Sequence, residues 1–82
     1  MNKKLKRTRD AIHEHPTRSD VPWADIEKLF RYYGAILTEG RGSRVRVQLK
    51  DVAATFHRPH PERVTTKKNL ESVKRFLKTA QV

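Results

Sequence analysis

Cysteine is absent from the chain, which excludes disulfides and thiolate metal sites. Long apolar runs are absent too. None approaches the ~20 residues of a membrane span, so no membrane is expected among the partners. Acidic residues are scarce, nine Asp and Glu against nineteen Lys and Arg. The basic start, Met1 to Arg9, is not followed by an apolar stretch and does not read as a secretory signal. The expected location is the cytoplasm.

What is present is a short, polar and strongly basic chain. Its 82 residues allow one domain with a thin core. Hydrophobic residues make up 35% and charged residues 34%, enough patterning to fold. The net charge of +10 attracts polyanions, of which nucleic acid is the commonest. An anionic membrane surface would instead call for an amphipathic helix with a wide apolar face.

Residues 1–19 read as a basic N-terminal arm in which Leu5, Ala11 and Ile12 suggest a short helix with a weak apolar side. Pro16 ends it, because the residue before a proline avoids helical angles. Two readings stand for this arm: a solvated extension, or a helix that packs on the domain or clamps nucleic acid. The domain is expected over residues 20–82. Ser19 and Asp20 are capping types, and Pro22 suits a first helical position. Trp23, Ile26, Leu29, Phe30 and Tyr33 then mark one helical face, read as core, and Gly34 can take the left-handed conformation that stops a helix.

Three strands are expected next, the first from Ala35 to Glu39. Gly40-Arg41-Gly42-Ser43 is a permissive turn able to bring N–H groups close to an anion. Val45, Val47 and Leu49 alternate with Arg44, Arg46 and Gln48, giving one apolar and one cationic face. Lys50-Asp51 has the length of a tight hairpin turn. Val52 to His57 is the third strand, with Ala54 and Phe56 inward and Ala53, Thr55 and His57 on the side of Arg44 and Arg46. Pro59 and Pro61 end it. Thr65 or Thr66 can cap a last helix whose Leu70, Val73, Phe76, Leu77 and Ala80 form a second apolar stripe. The pattern predicts an α+β fold, a helix, a three-stranded antiparallel sheet and a helix, with both helices on one face of the sheet.

Chemistry gathers at two places, Gly40 to Arg44 and His57-Arg58-Pro59-His60-Pro61. Arginine contacts phosphate through two N–H groups at once, which suits reading a nucleic-acid backbone. Metal-free RNA cleavage needs a base for the 2′-hydroxyl, an acid for the departing 5′-oxygen and cations for the phosphorane. Imidazoles, which ordinarily titrate near ~6.5, supply the first two. His57 and His60 are the candidates for base and acid, with Arg44 and Arg58 on the phosphate. Arg41, Ser43, Arg46, Lys67 and Lys68 are candidates for holding the RNA backbone. The plainer reading is that the histidines hydrogen-bond their loop or touch RNA without chemistry. As metal ligands, His57, His60 and Glu62 lack a further partner and sit among arginines that repel a cation.

Several of these stretches resemble the HicA toxin family. They are Trp23-Ala24-Asp25-Ile26-Glu27 running to Gly34, Gly40-Arg41-Gly42-Ser43-Arg44-Val45, Phe56-His57-Arg58-Pro59-His60-Pro61 and the closing Phe76-Leu77-Lys78-Thr79-Ala80. The resemblance spans about Val21 to Val82 and leaves the basic arm unassigned. It implies a fold similar to a double-stranded RNA-binding domain. It also implies a bacterial toxin that cleaves mRNA and halts translation, needs no cofactor, and is masked by a HicB-like antitoxin. Many members carry a catalytic histidine just after the Gly-Ser, where this chain has Arg44 and Val45. Arginine keeps its proton and is a poor base. The alternatives are therefore a nuclease that relies on His57 and His60, or a non-catalytic RNA-binding module on the same fold. A basic domain for an acidic protein partner is the third.

Overall fold

The computed structural model describes residues 1–59 and 64–82. Its elements run α1 (Lys3–Ile12), α2 (Trp23–Tyr32), β1 (Ile36–Glu39), β2 (Arg44–Leu49), β3 (Val52–His57) and α3 (Lys67–Thr79). The three strands form one antiparallel sheet in the order β1-β2-β3. The expected helix, three-stranded sheet and helix are all there.

Alternation in β2 decides which side of the sheet is covered. Val45, Val47 and Leu49 are buried while Arg44, Arg46 and Gln48 are exposed. On the covered side α2 contributes Trp23, Ile26, Leu29 and Phe30, and α3 contributes Leu70, Val73, Phe76 and Leu77. Phe56 of β3 joins the layers. Its ring lies 5.7 Å from that of Phe30, 5.5 Å from Phe76 and 5.8 Å from Trp23, centroid to centroid. Aromatic clusters of this kind dominate the energetics of so small a core.

Local chemistry places the helix ends. Pro22 is the N-cap of α2 rather than its first helical residue, and Trp23 begins the helix. Gly34, at φ +93°, takes the left-handed conformation just beyond the helix end. The hydroxyl of Thr66 accepts from the Asn69 N–H at 3.2 Å and caps α3, whereas Thr65 is fully buried. The β2–β3 hairpin turns through Lys50 and Asp51, with Leu49 facing Val52.

Residues of the basic arm enter the core. The side chain of Asn2 accepts from the Leu5 N–H at 2.8 Å and starts α1. Ile12 is fully buried in the main cluster, with Leu5 and Ala11 packed against it. The helix packs on α2 and α3. Burying one isoleucine side chain is worth roughly 1.5–3 kcal/mol, enough to hold so short a helix in place.

Candidate nucleic-acid interface

The uncovered side of the sheet ends in a corner where β2 begins and β3 finishes. Register puts Arg44 directly opposite His57, Arg46 opposite both Thr38 and Thr55, and Gln48 opposite Ala53. Opposed residues share a face, so Arg44 and His57 point to the same side, as their alternation predicts. Two residues apart on one strand, Arg44 and Arg46 are spaced by about 6.8 Å along it. Both are exposed, as is Arg41 in the preceding turn.

The turn brings Ser43 to the imidazole. Gly42 has φ +64°, a conformation that other residues adopt only with strain. The Gly40 N–H donates to the Arg44 carbonyl at 2.9 Å, and the Arg58 N–H donates to the Ser43 carbonyl at 2.6 Å. The ladder therefore continues one step past Arg44 and His57. In that setting Ser43 Oγ and His57 Nε2 are hydrogen-bonded at 2.9 Å. One imidazole tautomer accepts the hydroxyl proton and the other donates to the oxygen. Asn69 Nδ2 donates to the His57 carbonyl at 3.2 Å, so the start of α3 is tied to the end of β3.

Beside His57 lies an open pocket of about 330 Å³, lined by His57, Pro59, Thr66, Lys68, Asn69 and Ser72. Its floor is the N-terminal turn of α3, the positive end of the helix, and that turn has no acidic residue. Lys67 is exposed at the same end. The corner thus sets an imidazole, Lys68 and the N-terminal end of a helix around one cavity, with Ser43 bonded to His57 and Arg44 across from it.

Arg58 is placed differently from the other predicted cations. Its Nε donates to Glu27 Oε2 at 2.7 Å and its Nη1 to Glu39 Oε1 at 2.6 Å. Those two carboxylates, Glu39 first, raise its pKa further above the ordinary arginine value. The Trp23 indole N–H also donates to Glu27 Oε2, and Arg31 stands 3.5 Å from Glu27 Oε1. Arg58 therefore fastens the end of β3 to α2 and β1, and its charge is largely spent inside the protein. His60, Pro61 and Glu62 lie outside the described residues. Of the weighed ligands His57, His60 and Glu62, only His57 is described. Among the described residues no three of His, Asp and Glu gather as metal ligands.

Two residues of the corner were not singled out from sequence, Glu27 and Asn69. Glu27 had a signal: it follows Trp23 by four residues, so it sits on the apolar face of its helix. A buried carboxylate there demands partners. Asn69 had none, since its bond to His57 depends on how α3 meets the sheet.

A family model described as "HicA toxin of bacterial toxin-antitoxin" matches residues 23–82, from the first residue of α2 to the end of the chain. The chain belongs to the HicA toxin family. No curated protein and no solved structure gives a significant match. Membership suggests a toxin role and an antitoxin as partner. The HicA match takes in every element of the corner and leaves α1 outside it. Among the described residues no helix is long and apolar enough to cross a membrane.

Proposed function

We propose that the chain is the RNA-cutting member of its toxin–antitoxin pair, an endoribonuclease that cleaves mRNA without a metal, blocks translation and is neutralised by a HicB-like antitoxin. The observation that carries this reading is His57, hydrogen-bonded to Ser43, opposite Arg44 and beside the pocket at the start of α3. A phosphodiester seated there has Lys68 and the helix end on one side and Arg44 on the other. His57 takes the 2′-hydroxyl proton when the ribose replaces the Ser43 hydroxyl at Nε2. The 2′-oxygen then bonds to phosphorus, the bond to the 5′-oxygen breaks, and that oxygen receives a proton. The products are a 2′,3′-cyclic phosphate end and a 5′-hydroxyl end. His60 is the acid of this scheme, assigned from sequence. Arg44 stabilises the phosphorane, Arg41, Ser43, Arg46, Lys67 and Lys68 hold the backbone, and Arg58 keeps the corner in position.

Recognition rests on shape and phosphates, so sequence choice is weak. Expression in a bacterium tests the reading. Translation and growth stop with the unmutated chain, and His57→Ala relieves both. Arrest that persists in the variant would move the chemistry away from His57. The second reading, an RNA-binding module without chemistry, is favoured by Arg44 itself, an arginine at the position after the Gly-Ser. It predicts RNA binding with no new RNA ends.

A further inference from the structure

Most of the net charge is not on the sheet. Residues 1–19 hold six Lys and Arg against two acidic residues, and α3 holds five against one. The rest of the chain holds eight against six. The excess is on the N-terminal arm and α3 rather than on the strands that carry Arg44 and Arg46, and of the α3 cations Lys74, Arg75 and Lys78 lie beyond the end that borders the His57 pocket.

Pairing sharpens the contrast. On or next to α1, Lys4, Arg9 and Arg18 find carboxylates. The five cations of α3 form no salt bridge among the described residues. α1 packs against α3, and His13, the residue that caps the end of α1, feels Lys74 and Lys78 of α3 as well as Arg9. Burial first, then Lys74, Lys78 and Arg9, lower the His13 pKa, with Asp10 opposing them. Cations gathered this way repel one another, and a bound polyanion relieves the repulsion. The end of α1 is fixed by fully buried Ile12, so the cluster is built into the fold rather than carried on a tail.

Helix geometry joins this cluster to the pocket beside His57. Lys68 lines that pocket, and Arg75 lies two turns further along the same face, about 10 Å away. Lys78 is about 15 Å from Lys68 along the axis. We propose that α3 beyond its first turn, together with the C-terminal end of α1, is a second binding surface for the RNA backbone, continuous with the His57 pocket. This rests on the reading of the chain as an RNA binder and adds that α1, outside the family match, contributes affinity and no chemistry.

The full-length Lys74→Ala/Arg75→Ala/Lys78→Ala protein tests it, since alanine keeps the helix. Affinity for a single-stranded RNA is measured from low to moderate salt, beside the unmutated and His57→Ala proteins. Losing three phosphate contacts lowers the slope of log affinity on log salt by about 2 and weakens binding at least about tenfold at low salt. His57→Ala keeps the full slope. In the unmutated protein, RNA raises the His13 pKa as followed by NMR, because phosphates offset Lys74 and Lys78. Tight RNA binding with an unchanged slope in the triple variant overturns this surface and leaves the proposed function standing. No RNA affinity in the unmutated protein overturns both. A triple variant that keeps RNA but loses an acidic protein partner overturns the RNA surface in favour of a protein one.

Discussion

The sheet side and the helical side of this molecule are both basic, and they use charge in different ways. At the sheet corner each group is placed: His57 against Ser43, Arg44 across from His57, Arg58 between Glu27 and Glu39. On the helical side cations outnumber acids, those of α3 form no salt bridge among the described residues, and the His13 imidazole is pressed toward its neutral form. At the corner two carboxylates, Glu27 and Glu39, are spent on holding Arg58 in place. Affinity for a polyanion needs only density of charge.

If α1 is part of the helical side rather than a tether, Ile12→Ala is the most costly change to that side. It leaves a cavity in the main core and costs about 3 kcal/mol in urea unfolding. An unchanged midpoint would return α1 to the status of a tail. On the sheet side the matching change is Glu27→Ala, which strands the Trp23 N–H and the Arg58 guanidinium. Partly exposed Arg58 recovers some hydration, so about 2–3 kcal/mol is expected. Equal stability would mean that the corner is not held by these carboxylates.

The two glycines of the β1–β2 turn give a smaller contrast. Gly42→Ala forces a side chain into the left-handed region and costs about 1 kcal/mol. Gly40→Ala is close to neutral, because its Cβ would meet Arg44 only at ordinary contact, 3.5 Å. Thermal unfolding of both variants separates them, and equal shifts would contradict the turn.

The smallest effect is a pH dependence on the helical side. The His13 pKa is lowered in the folded chain, so the unfolded chain holds more proton between that value and the ordinary 6.5. Stability from this residue is full above 6.5 and is lost as pH falls through that window. His13→Gln flattens the profile there. A His13→Gln profile that still falls over this range by the same amount would show that the cations do not press on this imidazole.

Much of this fold was legible because its signals are periodic. Val45, Val47 and Leu49 alternate, two apolar stripes recur at helical spacing, and both patterns have one physical solution. The shared face of Arg44 and His57 followed from the same alternation. Element ends were less legible: Ala35 precedes β1, which begins at Ile36, and Thr66 rather than Thr65 caps α3. Both threonines are equal as caps on paper, and burial of Thr65 decides between them. The Ser43–His57 bond and the Glu27–Arg58–Glu39 bridge were not legible at all. Their members are 14 to 31 residues apart, and packing alone brings them together. For α1 a weak apolar side was visible, but not the site on α2 and α3 that accepts Ile12.

The most direct test is cleavage of a long mRNA in EDTA by the purified protein and by His57→Ala, with the new ends mapped. New 5′-hydroxyl and cyclic-phosphate ends are expected from the unmutated protein. His57→Ala should lower the rate by about 10²–10⁴ while RNA binding persists. Equal cutting by both proteins, or binding by the unmutated protein with no cutting at all, would contradict a nuclease centred on His57.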